Sequence, residues 1–249
     1  MEKQIIWRGL LAGAIAGMLA FLFARIFVEP VIDRAIAFEE AASEAAGHDH
    51  GGHEHGVELF TRGVQANIGM GFGVLAFSVA MGALFAVVFC VAYGRVGALS
   101  ARLLSVLTAG GMLLSLYVIP FLKYPANPPA VSLDETIRQR TLLYLLMVVL
   151  SAALLVAAVY LGRRLTARFG GWNATLIAAG AYVVAVAIVM LLLPSIDETP
   201  GDFPADDLYE FRLYALGTQI VMWTTIALVF APMAARLLGE MTRREKISA

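Results

Sequence analysis

Six stretches of the chain are apolar for the length of a membrane crossing. They run roughly Gly9–Val28, Gly69–Tyr93, Leu103–Leu122, Thr141–Leu161, Trp172–Leu193 and Leu213–Leu237. Each meets the requirement of about 20 mostly apolar residues that a helix needs to cross a hydrocarbon layer. No stretch alternates apolar and polar residues in the way a membrane barrel strand does. Helices close their backbone hydrogen bonds internally, which lipid demands, so the pattern predicts an all-α integral membrane protein with six transmembrane helices. Lys3, Arg8 and the apolar run after them also resemble a secretory signal. The run continues to Val28 without a clean small-residue cleavage site, which predicts a retained first span.

Polar residues gather between the spans and are segregated by sign. With both termini cytoplasmic, the inner segments carry 11 basic and 3 acidic residues, and the outer ones 7 basic and 16 acidic. The bias of Lys and Arg toward the inside supports that orientation. Trp7, Tyr93, Tyr160 and Trp172 fall at the inner boundary and Tyr117, Tyr124 and Tyr144 toward the outer one. The formal net charge of -1 therefore conceals a strongly basic inner face and a strongly acidic outer one. Composition agrees with the span pattern: 60% of the 249 residues are hydrophobic, 15% are charged, and the mean hydropathy is +0.78. A soluble domain is nearer half apolar and a quarter charged. The single cysteine, Cys90, excludes an intramolecular disulfide and a cysteine-based metal cluster.

The spans themselves hold little chemistry. No histidine or carboxylate lies at the centre of any of them, so a proton relay or carboxylate cage within the membrane has no obvious residue. No phosphate-binding loop and no protease constellation is present, and no enzymatic activity and no nucleic-acid partner are expected. The polar donors within spans include Ser78, Thr108, Ser115, Ser151, Thr175, Thr218, Gln219, Thr224 and Thr225. Gly9, Gly13 and Gly17 form a small-residue stripe suited to close helix packing.

The distinctive chemistry is outside. Residues 29–66 form an outer acidic, histidine-rich loop. Pro30 is placed to start or bend a helix that extends through about residue 46. All four histidines follow, in His48-Asp49-His50-Gly51-Gly52-His53-Glu54-His55. Imidazole and carboxylate donors so interleaved suit borderline divalent metals such as cobalt, nickel, zinc and copper. The plainer alternative is a solvated polar loop. Glu40, Glu44 and His48 recur every four residues and share a helix face, either extending a metal-collecting surface or simply forming a solvated acidic one. Arg25, Lys123, Glu210 and Arg212 sit near outer helix ends, where snorkelling to the interface competes with framing an outer vestibule. Thr218 and Gln219, one or two turns deeper, are the best polar candidates for a path. A capping box, Ser132 and Glu135, is expected to open the fourth span's helix. Asp202 is expected to cap the sixth, with Asp206 and Asp207 complementing its dipole.

Several segments together resemble the CbtA-type cobalt transporter subunit family of bacteria. They are the histidine-rich loop, Pro120-Phe-Leu-Lys-Tyr-Pro-Ala-Asn-Pro-Pro129, Arg140-Thr-Leu-Leu-Tyr-Leu-Leu-Met147, Phe203-Pro-Ala-Asp206, Glu210-Phe-Arg212 and Gly217-Thr-Gln219. The proline-rich block is the most specific of them. The resemblance implies a multi-pass protein of the bacterial inner membrane that moves Co2+ for corrinoid synthesis. It also implies a small single-span CbtB-type partner, and no fixed cofactor or catalytic residue. A membrane metal sensor or assembly scaffold, which binds metal without transporting it, is the alternative.

Overall fold

The computed structural model describes residues 2–45, 62–131, 134–196 and 201–248. These residues form α1 (Glu2–Phe23), α2 (Glu29–Ala45), α3 (Arg62–Val64), α4 (Met70–Ala92), α5 (Ala101–Leu113), α6 (Ile119–Lys123), α7 (Asp134–Leu192) and α8 (Ala205–Ser248). Among the described residues there is no strand. Three wide π-helical turns, Ala24–Val28, Gln65–Gly69 and Leu114–Val118, join neighbouring helices without interruption. Glu2–Ala45 is therefore one helical rod about 66 Å long at 1.5 Å per residue. The first half of the expected outer loop belongs to that rod.

Two of the π turns share a cause in the sequence. Ala24–Val28 is followed by Glu29-Pro30, and Leu114–Val118 by Ile119-Pro120. A helical proline clashes with the carbonyl four residues earlier and brings no N–H. Widening the preceding turn relieves that clash, and the residue before each proline bonds five residues back: Glu29 to Ala24 and Ile119 to Leu114. Pro30 and Pro120 thus widen the turns before them and leave their helices continuous. Helix α6 carries the third span on to Lys123, and the extended path begins only at Tyr124.

Five helices among the described residues are long and apolar enough to cross a bilayer, against six expected spans. The difference lies in α7, which takes in the fourth and fifth. Arg163, Arg164 and Arg168, expected in a linker, continue its helix, with Arg164 lying over the Tyr160 ring one turn away. Arginine is a good helix former, so nothing in that basic stretch ends the helix. The break comes at Gly170, whose φ of 74° and ψ of 164° are left-handed. There the chain reverses: a Cβ on Gly162 would sit 3.3 Å from that of Ala178. At the start of α8 the Pro204 carbonyl accepts from Leu208, so the helix opens after Pro204 and not at the predicted cap Asp202. Asp206 and Asp207 do occupy its first turn. Ser132 lies outside the described residues.

The helices pack as two groups. In the first, α1 runs antiparallel to α4 with backbone against backbone. A Cβ added to Gly9 would strike the Gly82 carbonyl, one on Gly13 the Ser78 carbonyl, and one on Gly82 the Gly9 carbonyl. Helices α5 and α8 complete this group around Phe85, Phe89, Met222, Trp223 and Phe230, all buried. Phe85 and Phe89 meet the Phe230 ring edge-to-face, an arrangement the aromatic quadrupole favours. The second group is the α7 hairpin packed on Leu114–Tyr124, with Ile119, Tyr124, Met147, Tyr182 and Val186 at its centre. The third span is shared, its first half in one group and its second half in the other, and the turn Leu114–Val118 marks the change.

Candidate functional site

At one end of the bundle the helices are tied by polar side chains around a small apolar plug of Ala35, Val131 and Phe203, with Phe38 and Leu208 against it. Arg34, on the part of the rod beyond Pro30, reaches Asp207 and Glu210 at 2.5 Å each. Its side chain is 45% exposed, so this pair orients α8 against α2 more than it stabilises the fold. Two residues on from Glu210, Arg212 donates to Asn127 Oδ1 at 2.9 Å and to the Ala126 carbonyl at 3.3 Å. Arg140 donates to the Pro125 carbonyl. Two guanidinium groups thus grip consecutive residues of the proline-rich segment. Proline supplies no N–H there, and its carbonyls need outside donors. The buried Tyr124 hydroxyl donates to the Pro194 carbonyl at 2.8 Å, and burial pushes that phenol up, keeping it a donor.

The predicted vestibule residues divide among these ties. Arg25 donates to Asn67 Oδ1 at 3.0 Å, joining the π turn that follows α1 to the one that precedes α4. Lys123 donates to Ser195 Oγ at 3.1 Å, closing the far end of the α7 hairpin. Glu210 and Arg212 hold the two partner sets just described. Among the described residues these four bind separate partners and are not gathered into one cluster. Thr218 spends its hydroxyl on the Tyr214 carbonyl at 2.9 Å, and Gln219 is half-buried beside it. Glu40 and Glu44 are exposed one turn apart on α2. His48, Asp49, His50, His53, Glu54 and His55 lie outside the described residues. Among the described residues, no group of three or more His, Cys, Asp or Glu is arranged to hold a metal ion.

Sequence reasoning passed over two features. Glu29 is 2% exposed, a carboxylate buried beside the first π turn. Its position immediately before Pro30, where the wide turn closes, was the available signal. The second feature is a set of hydroxyls at the other proline-linked turn. Ser151 Oγ donates to the Ser115 carbonyl, and the Tyr144 hydroxyl lies 3.5 Å from the Leu116 carbonyl.

Comparison with known proteins gives one match. Residues 2–235 fit the family described as "Probable cobalt transporter subunit (CbtA)". No curated protein and no solved structure matches the chain. With a match running from the start of α1 into α8, over a bundle of membrane-length apolar helices, this chain belongs to the CbtA family.

Proposed function

We propose that the chain is the membrane-embedded subunit of a cobalt uptake transporter. The observation that carries this reading is the family match over nearly the whole chain, joined to a helical bundle whose apolar surface faces outward. In this reading α7 crosses twice, once on each side of Gly170. The chain then makes six crossings, with both termini in the cytoplasm of a bacterial cell. The asymmetric distribution of Lys and Arg supports that orientation.

The outer segment from His48 to His55 collects Co2+. Glu40 and Glu44, exposed on the rod that leads into it, add negative charge along the approach. Acidic outer loops raise the local cation concentration within a Debye length of about 8 Å at physiological salt. Arg25, Lys123, Glu210 and Arg212 hold the outer helix ends in register around the entrance, and the half-buried Gln219, next to Thr218, offers a polar step below it. A small single-span partner, also membrane-embedded, completes the transporter. The family match favours transport over a sensing or scaffolding role.

Metal-resolved uptake into sealed proteoliposomes, with and without the candidate partner, tests the proposal. Accelerated Co2+ entry is expected. Unchanged entry with a verified, intact complex would refute it. Replacing His48, His50, His53 and His55 together should lower uptake most when external cobalt is scarce. Equal cellular cobalt at matched expression would remove the loop from the mechanism.

A further inference from the structure

The junction between the two packing groups holds a set of neutral oxygens that the cobalt reading does not use. In the turn Leu114–Val118 the Ile119 N–H bonds to the Leu114 carbonyl, and Pro120 has no N–H to give. The Ser115 carbonyl is thereby left without a backbone donor, and Ser151 Oγ supplies the bond. The Leu116 carbonyl, which would take the missing Pro120 N–H, has the Tyr144 hydroxyl at 3.5 Å. Tyr182, 7% exposed, stands within reach of Ser151, and its buried hydroxyl closes no hydrogen bond of ordinary geometry. Ile119, Met147 and Val186 surround the group with apolar surface. A buried polar atom without a partner is costly; here Ser151 and Tyr144 each face one carbonyl of the widened turn, and Tyr182 stands at Ser151.

The geometry points to a binding site for a dehydrated monovalent cation such as Na+, coordinated by the Ser115 and Leu116 carbonyls and the Ser151, Tyr144 and Tyr182 hydroxyls. Widened or broken helices that turn carbonyls toward hydroxyls provide this donor set for alkali ions in membrane transporters. The set carries no formal charge. The cost of dehydrating an ion rises with the square of its charge, so neutral oxygens compensate one positive charge far better than two. Borderline divalent metals want imidazole or carboxylate in addition. These five oxygens are therefore unsuited to the cobalt ion and suited to an ion that moves with it. Their place, where the third span passes from one packing group to the other, lets occupation bias how the groups sit together. The site stands on this geometry; its use in driving uptake rests on the transport reading above.

Full-length protein in lipid nanodiscs, without cobalt, is titrated with NaCl, KCl or choline chloride at constant ionic strength. Tyrosine fluorescence and thermal stability are followed together. A saturable response to an alkali cation and not to choline is expected, with apparent affinity at least tenfold weaker in Ser151→Ala and in Tyr182→Phe. Ser105→Ala is the control: Ser105 is an equally buried serine of the third span whose hydroxyl bonds to Ala101 in its own helix, and its loss should leave the response unchanged. An identical response to choline, or equal affinities in wild type, Ser151→Ala and Tyr182→Phe, overturns the proposal and leaves a water-filled site. Because cobalt is absent from the titration, failure of the cobalt reading and failure of this site are separate results. In proteoliposomes, an inward Na+ gradient should then speed cobalt entry by a factor that Ser151→Ala abolishes.

Discussion

Replacing Gly82 with alanine is the sharpest test of how the first packing group is held together. The new Cβ would lie 2.8 Å from Gly13 Cα and 2.9 Å from Gly13 N, and closer still to the Gly9 carbonyl oxygen. Ordinary contact begins near 3.4 Å, so α1 and α4 must part by about 0.6 Å or more along the seam. The obstacles are main-chain atoms of a helix, and no side chain can swing aside. Separations of that size forfeit about a quarter to a half of each van der Waals contact, while overpacking costs about 1–3 kcal/mol. The upper end, about 3 kcal/mol, is expected here. For a chain of this length that corresponds to a fall of about 6–12 °C in Tm. Thermal unfolding of purified protein in a fixed detergent measures it, with Gly73→Ala as the reference. Gly73 lies in the same helix with nothing within 4 Å of its added Cβ, and alanine there gains helix propensity worth up to about 1 kcal/mol. If Gly82→Ala and Gly73→Ala melt together, the close seam is not what holds the two helices.

Three further outcomes follow from the same geometry. Gly170→Ala should cost about 1–3 kcal/mol because positive φ with ψ of 164° is a backbone region essentially restricted to glycine, whereas Gly171→Ala should be close to neutral; thermal unfolding of both variants checks the contrast. Arg212→Lys loses the two-point grip on Ala126 and Asn127, and should destabilise by about 1–3 kcal/mol while making residues 124–131 more sensitive to limited proteolysis. Arg34→Ala should cost under about 1 kcal/mol, and a double-mutant cycle with Glu210→Gln should lose its coupling in molar salt, because both partners are substantially exposed.

The apolar runs make the helical, membrane-length character legible, because nothing but length and hydropathy decides it. The glycine stripe at Gly9, Gly13 and Gly17 announces a close contact, and α4 supplies it. Gly82 carries no mark in the sequence, since the matching register appears only when two helices face each other. The linker around Arg163 is misread because charge normally ends a span but does not end a helix. The widened turns before Pro30 and Pro120 are not legible in the sequence for a related reason. Proline is a strong breaker in isolation, yet one wide turn accommodates it at less cost than ending a buried helix. The outer ties were half visible: Arg212 and Glu210 stood out as charges near lipid, but their partners Asn127 and Arg34 lie 85 and 176 residues away. Ser115 and Ser151 were visible as polar residues, and only the proline-widened turn between them explains why they meet.

The seam between α1 and α4 also restricts how the molecule can move. Two helices touching through main-chain atoms cannot slide past each other without lifting apart, so the pair behaves as a strut. The α7 hairpin is attached differently, mainly through side chains packed on residues 114–124, with Arg140 holding the Pro125 carbonyl. Any cycle that opens the bundle alternately to its two sides must therefore swing the hairpin against the strut, with residues 114–118 as the pivot.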